Sequence, residues 1–136
     1  MGIGLKFKIT FTSKGSCMGF NDDLRDRTKQ FALRNIKLFQ SLPKTEEARI
    51  LGRQLLRSST SVGANFRAAS RGRSKAEFYS KLSVVVEEAD ESAFLMELLM
   101  ESNIVSEKKL LPQYNETIEL TKIMAVSRKT TRNNGK

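Results

Sequence analysis

Residues 57–78 read RSSTSVGANFRAASRGRSKAEF, and the spacing within this stretch decides the fold. Val62, Phe66 and Ala69 recur four and three residues apart and continue the rhythm of Leu51 and Leu55, which marks one face of a helix. Gly72 is a natural stop. Ser74-Lys75-Ala76-Glu77 then has the S-x-x-E form that opens the next helix, the serine and glutamate satisfying backbone donors that a helix start leaves without partners. The stretch is therefore a helix, a short turn and a second helix. Inside the first helix lie four consecutive hydroxyl residues and a glycine, with arginines on both sides.

Working outward, the same periodicity predicts four helices. The first runs from about Asp22 to Leu42, with Asn21 or Asp22 as cap and Leu24, Phe31, Leu38 and Leu42 on its apolar face; Pro43 ends it. The second starts at a Thr45 cap, with Glu46 and Glu47 in the turn where the helix dipole favours acids, and reaches about Ser70. The third runs from the Ser74 cap to about Ser102, with a seam of Phe78, Leu82, Val85, Ala89, Ser92, Met96 and Leu99. The fourth follows a Ser106 cap, continues through Leu110, Tyr114, Ile118 and Thr121, and ends near Arg128. Four amphipathic helices with short connections predict an all-α fold, an antiparallel up-and-down four-helix bundle over residues 22–128. Residues 1–21 read as a leader, flexible or a short strand at KFKITFT (6–12), with Met18 as a candidate native start. Residues 129–136 read as a disordered basic tail.

The chain has 136 residues, no histidine, one cysteine and a formal net charge of +9. Zinc sites built from Cys and His are excluded, and no metal or other cofactor is expected. The first twenty residues are too interrupted by lysine, serine and glycine for a signal peptide, and no apolar run approaches membrane-spanning length, so a cytoplasmic location is expected. The charge is unevenly placed: residues 22–73 hold twelve Lys and Arg against five Asp and Glu, and residues 74–119 hold four against ten.

The basic half has a pattern. Projected on an ideal helix, Arg49 and Arg67 fall near 0°, Arg53 and Arg71 near 40° and Arg57 near 80°, while Leu51, Leu55, Val62, Phe66 and Ala69 cluster at roughly 200–260°. The arginine face spans about 33 Å. Thr60 and Ala64 give its middle short side chains. Arginine's planar fork suits phosphate, and nucleic acid presents phosphates at regular intervals along such a length. Candidate phosphate contacts are Arg53, Arg57, Arg67, Arg71, Arg73 and Lys75, with Arg49 secondary. The SSTS run reads as a place where another helix packs closely, and Gly63 as either such a close approach or a local bend.

The acidic half contains VVVEEADESAFLMELLMES (84–102). Its carboxylates project away from the seam, and the Glu-x-x-His pairs of a two-metal bundle site are missing. Phe94, Leu95 and Leu98 fall outside the seam arc beside Glu87 and Glu91. These five residues form a candidate subunit interface, for which the basic second helix is an electrostatic complement. Without histidine, and with Cys17 in the leader, no nucleophile–base arrangement is visible, so no enzyme activity is expected.

Leu56, Arg57, Ser58, Ser61, Val62, Asn65, Phe66 and Ala68, followed by Arg73, Ser74, Glu77 and Phe78, resemble the central motif of a bacterial family first noticed as reading frames in intervening sequences of 23S ribosomal RNA genes. The likeness covers roughly residues 22–126. It implies a four-helix bundle assembling as a ring-like homopentamer with a basic surface. The family is also similar to the accessory protein of diversity-generating retroelements, which associates with a reverse transcriptase and with nucleic acid. Here Phe66-Arg67-Ala68 makes the second helix more basic than usual. The resulting expectation is a non-enzymatic homo-oligomer that binds RNA or DNA with weak sequence selectivity. The rival is an adaptor ring that binds a protein such as a reverse transcriptase, with the arginines between subunits.

Overall fold

The structure, a computed structural model, describes residues 17–134. Four helices follow in order: α1 (Cys17–Ser41), α2 (Glu46–Ser70), α3 (Lys75–Glu101) and α4 (Glu107–Asn134). They form a four-helix bundle in which α2 packs most extensively on α3 and α3 on α4, while α1 leans chiefly on α2 and meets α4 least. The KFKITFT segment read as a possible strand lies outside the described residues.

The caps work largely as their sequences imply. Thr45 accepts from the Ala48 N–H (3.3 Å), Ser74 from Glu77 N–H (3.1 Å) and Ser106 from Lys109 N–H (3.3 Å). Glu77 turns back to accept from the Arg73 N–H (2.6 Å), one residue before the cap. The end of α3 is closed by Asn103 at φ 63°. The Ile104 N–H bonds the Leu99 carbonyl and the Asn103 N–H the Met100 carbonyl, the paired arrangement that satisfies a helix's last acceptors.

Two helix ends differ from expectation. α1 begins at Cys17, so Asn21 and Asp22 lie inside it, and Asp22 pairs with Arg25 one turn on instead of capping. Gly19 costs helix propensity but does not stop a helix. α4 runs to Asn134, so residues 129–134, read as disordered tail, are helical. No glycine or proline intervenes before Gly135, Thr131 bonds the Ser127 carbonyl (2.9 Å), and Arg128, Lys129 and Arg132 suit the negative end of the helix dipole.

The core joins all four helices: Leu24, Phe31 and Leu38; Leu55, Val62 and Phe66; Leu82, Val85, Met96 and Leu99; Leu110, Leu120, Ile123 and Met124. The buried face of α4 is rotated from the expected one. Thr117, Leu120, Ile123 and Met124 are buried, whereas Tyr114, Ile118 and Thr121 are half-buried. Thr117 is tolerated inside because its hydroxyl donates to the Gln113 carbonyl (2.8 Å).

Small residues govern the close contacts of α2. Ser58 and Ser92 are buried and share a hydrogen bond between α2 and α3 (2.8 Å), each hydroxyl also lying within bonding distance of a carbonyl of its own helix, Leu55 at 3.2 Å and Glu88 at 2.9 Å. On the other flank, a Cβ added at Gly63 would lie 3.3 Å from the Thr28 carbonyl oxygen of α1, and one at Gly52 would lie 2.6 Å from Leu42 Cδ1. The α1–α4 side is held differently. Arg27 donates through Nε and Nη2 to Glu116 (3.2 and 2.8 Å) and through Nη2 to Glu119 (2.7 Å), all three largely shielded from solvent. Desolvation pulls the Arg27 pKa down, but the bonds and charges of Glu116 and then Glu119 outweigh it, so the guanidinium is held even more firmly protonated.

Two outcomes follow from these contacts. In urea denaturation Gly63→Ala fails to show the roughly 1 kcal/mol gain that removing a mid-helix glycine usually brings, and Gly63→Val costs about 2 kcal/mol by overpacking; a stabilised Gly63→Val would mean that α1 gives way freely. Arg27→Met, which strands two partly buried carboxylates, costs about 2 kcal/mol, and most of this returns when Glu116 and Glu119 are also made leucine.

Candidate nucleic-acid interface

Arg49, Arg53, Arg57 and Arg67 are exposed, as expected of side chains opposite the apolar arc of α2, and so are Arg71 and Arg73 in the following turn and Lys75 at the start of α3. They do not form one continuous stripe. α1 and α3 flank α2 on either side and draw the arginines to three places.

The first place is the turn between α1 and α2. Lys44, Arg49 and Arg53 line a hollow of about 350 Å³ with Phe39, Gln40 and Pro43. The second is further along the α1–α2 groove, where Arg25 and Lys29 of α1 join Arg67 around a hollow of about 300 Å³. Its surface is formed by Thr28, Ala32, Thr60, Gly63 and Ala64, so the close approach at Gly63 and the short side chains at 60 and 64 are what make it. The Thr60 hydroxyl is spent on the Leu56 carbonyl (2.8 Å) and the Thr28 hydroxyl on that of Leu24 (2.8 Å). Cations, not hydroxyl donors, therefore set the chemistry of the groove. No carboxylate lines either hollow, although Glu46 joins Lys44, Arg49 and Arg53 around an adjoining one. The third place is the α2–α3 turn, where Arg73 and Lys75 flank a hollow of about 450 Å³ bounded by Thr130 and Thr131 of α4. Arg71 caps α2 just before it, its N–H bonding the Ala68 carbonyl (3.2 Å).

Arg57 stands apart, since its charge acts on Glu88 of α3. Burial raises the Glu88 pKa first, the neighbouring charges of Glu91 and Glu87 raise it further, and Arg57 partly offsets them. Arg25, Lys29 and Lys44 were not singled out from the sequence. Arg25 and Lys29 stand one turn apart in the sequence of α1, but which flank of α1 meets α2 is set by the packing.

The candidate subunit interface is only partly retained. Phe94 is 56% exposed, and Glu87 and Glu91 are exposed beside it. Leu98 is half-buried against the core, and Leu95, at 2% exposure, belongs to the core itself. Because α2 and α4 cover α3 from both sides, its buried arc is wider than the seam and takes in Ala93 and Leu95. Tyr114 of α4 donates to Glu97 Oε2 (2.7 Å), and that bond, with lesser burial, raises the phenol pKa above its usual value.

With this geometry in place, the comparisons with known proteins agree on what kind of chain it is. The family model of the 23S rRNA-intervening sequence protein matches residues 22–126. The chain belongs to the 23S rRNA-intervening sequence protein family. It is also similar to the crystal structure of a protein of unknown function from the S23 ribosomal protein family of Bacteroides thetaiotaomicron, with 29% identity and a TM-score of 0.75, over 80% of this chain and 97% of that one. No curated protein matches the chain. The matched span of the 23S rRNA-intervening sequence protein model takes in both basic hollows of the α1–α2 groove and the acidic face of α3. Among the described residues no helix is long and apolar enough to cross a membrane, and no group of three or more potential metal-ligating side chains is gathered.

The raised Glu88 pKa has a definite sign. The folded state holds this proton more tightly than the unfolded chain, so ionised Glu88 lowers stability as pH rises through its titration. Glu88→Gln is expected to raise or preserve the melting temperature at pH 7 and to flatten its pH dependence in the mildly acidic range. A clear fall at pH 7 would mean that Arg57 is committed to an ion pair with Glu88.

Proposed function

We propose that the protein is a non-enzymatic, homo-oligomeric RNA- or DNA-binding bundle that contacts phosphates through the basic surface of α2 and its neighbours. The observation that carries this reading is the exposure of every candidate cation, Arg53, Arg57, Arg67, Arg71, Arg73 and Lys75, together with the recruitment of Arg25, Lys29 and Lys44 into carboxylate-free hollows. Cations that outnumber the carboxylates near them repel one another, and a polyanion relieves that repulsion while releasing its own counterions. Phosphate contacts position a protein without reading bases, so sequence selectivity is weak.

The bundle is read as antiparallel and up-and-down, its short connections joining neighbouring helices. The exposed Phe94 beside Glu87 and Glu91 supports self-association, because a large apolar side chain ringed by charge is a common subunit contact. A ring-like homopentamer, which the family resemblance implies, is the assembly we assign, and the cytoplasm the location. The second reading, an adaptor ring for a protein partner such as a reverse transcriptase, is favoured by the same Phe94 patch if the arginines face neighbouring subunits.

Fluorescence anisotropy of labelled RNA and DNA across salt concentrations tests the proposal. Binding whose log affinity falls steeply and linearly with log salt is expected, the slope counting about 0.9 per phosphate engaged on B-form DNA. Arg53→Glu with Arg57→Glu should weaken binding and leave the oligomer intact. Loss of the oligomer with these substitutions, or no binding even at low salt, sinks the proposal in favour of the adaptor.

A further inference from the structure

The α1–α2 groove carries two cationic seats, not one. The first is Lys44, Arg49 and Arg53 at the α1–α2 turn, and the second is Arg25, Lys29 and Arg67. Arg53 and Arg67 project to nearly the same side of α2, fourteen residues apart, which is roughly 21 Å along the axis. Between them the strip of α2 that faces α1 is uncharged, with Leu56 half-buried and Thr60 and Ala64 exposed; Arg57, the charged residue of this interval, lies toward Glu88 of α3. A cationic gap of this size, floored by short side chains, is a saddle between two posts.

This arrangement bears on which nucleic acid fits. A flexible single strand laid along the groove would pass its middle phosphates over the neutral saddle, and the chain between the seats would have to be ordered at an entropic cost. Single-strand binders offset that cost by stacking bases on aromatic side chains. The α1–α2 groove offers no such platform. Phe39, beside the first seat, is half-buried against the core, and Phe94, the large aromatic exposed among the described residues, lies on α3. A duplex needs neither compensation, because its two phosphate rows are held rigidly apart across a groove. Long side chains leaning inward from the two seats shorten their span toward the about 12 Å width of the B-DNA major groove, or toward the wide, shallow minor groove of A-form RNA. The short saddle residues leave room for the groove between the rows.

We infer that the α1–α2 face is a two-post phosphate clamp selective for double-stranded nucleic acid, each post taking one phosphate row. Arg25 keeps its exposed pair with Asp22, which is weak enough to yield to phosphate. The inference rests on the nucleic-acid reading above and narrows it to duplex.

The experiment uses the full chain with four 20-mer probes: an RNA duplex, a DNA duplex and one strand of each. At least one duplex is expected to bind about tenfold or more tighter than its own strand, and the identity of that duplex tells which groove is spanned. Lys44→Glu with Arg53→Glu, and separately Lys29→Glu with Arg67→Glu, should each abolish the preference and lower the salt slope by about two. The corresponding Gln variants repeat the test with less perturbation, and sedimentation checks the oligomer. Single strands binding as tightly as duplex, or loss confined to one seat, overturns the inference and leaves nucleic-acid binding standing. A change of oligomeric mass in the seat variants overturns it by assigning the cations to subunit contacts. No binding of any probe overturns the underlying reading as well.

Discussion

The α2 backbone runs so close to α1 that a single added carbon at Gly63 would crowd the Thr28 carbonyl. Much of the basic surface depends on that approach. It brings the flank of α1 bearing Arg25 and Lys29 beside Arg67, and it keeps the groove shallow, since a larger residue at 63 would push the helices apart. Ser58 and Ser92 do the same on the α3 side, where two hydroxyls bond each other inside the core instead of facing water. A helix that packs closely on both flanks has few positions left for long side chains. In α2 the positions that line the groove between Arg53 and Arg67 are Thr60, Gly63 and Ala64, all of them short. The surface chemistry is in this sense a consequence of the packing.

The charge separation along the chain becomes a separation in space. α1 and α2 carry the cationic groove, and α3 carries Glu87, Asp90, Glu91 and Glu101 on its outer side around Phe94. Within the bundle, opposite charges meet mainly where α1 comes nearest α4, in the Arg27 contacts with Glu116 and Glu119. α1 and α4 are the least intimately packed pair, so a shielded, bidentate ion pair takes the place of apolar burial there. This arrangement fixes orientation better than it adds stability, because desolvation offsets much of the attraction.

Much of the fold was legible in the sequence, because helix periodicity, capping residues and the Gly72 stop all point to the same boundaries for α2 and α3. What misled were polar residues in the core. Thr117, Thr28 and Asn35 are buried with their side chains bonded to the carbonyl four residues earlier; a hydropathy pattern skips such positions, so the α4 face was placed on Tyr114, Ile118 and Thr121. Leu95 was read as surface because a seam of alternating three and four residues understates how much of a central helix two neighbours cover. Helix ends at Cys17 and Asn134 went further than expected because no breaker stood in the way. For the interface, one helix taken alone located the arginines but not their partners. Arg25, Lys29 and Lys44 join the site only once α1 is laid against α2, a tertiary fact that spacing within α2 does not contain.

The central claim is that nucleic acid occupies the α1–α2 groove, and lysine acetylation footprinting read by mass spectrometry tests it most directly. Lys29 and Lys44 lie in the groove, while Lys81, Lys108 and Lys122 are exposed elsewhere on α3 and α4. With saturating duplex, Lys29 and Lys44 are predicted to lose reactivity several-fold while the other three stay reactive. Protection of Lys81 and Lys122 with Lys29 and Lys44 unchanged would contradict the account and move the interface to the opposite side of the bundle.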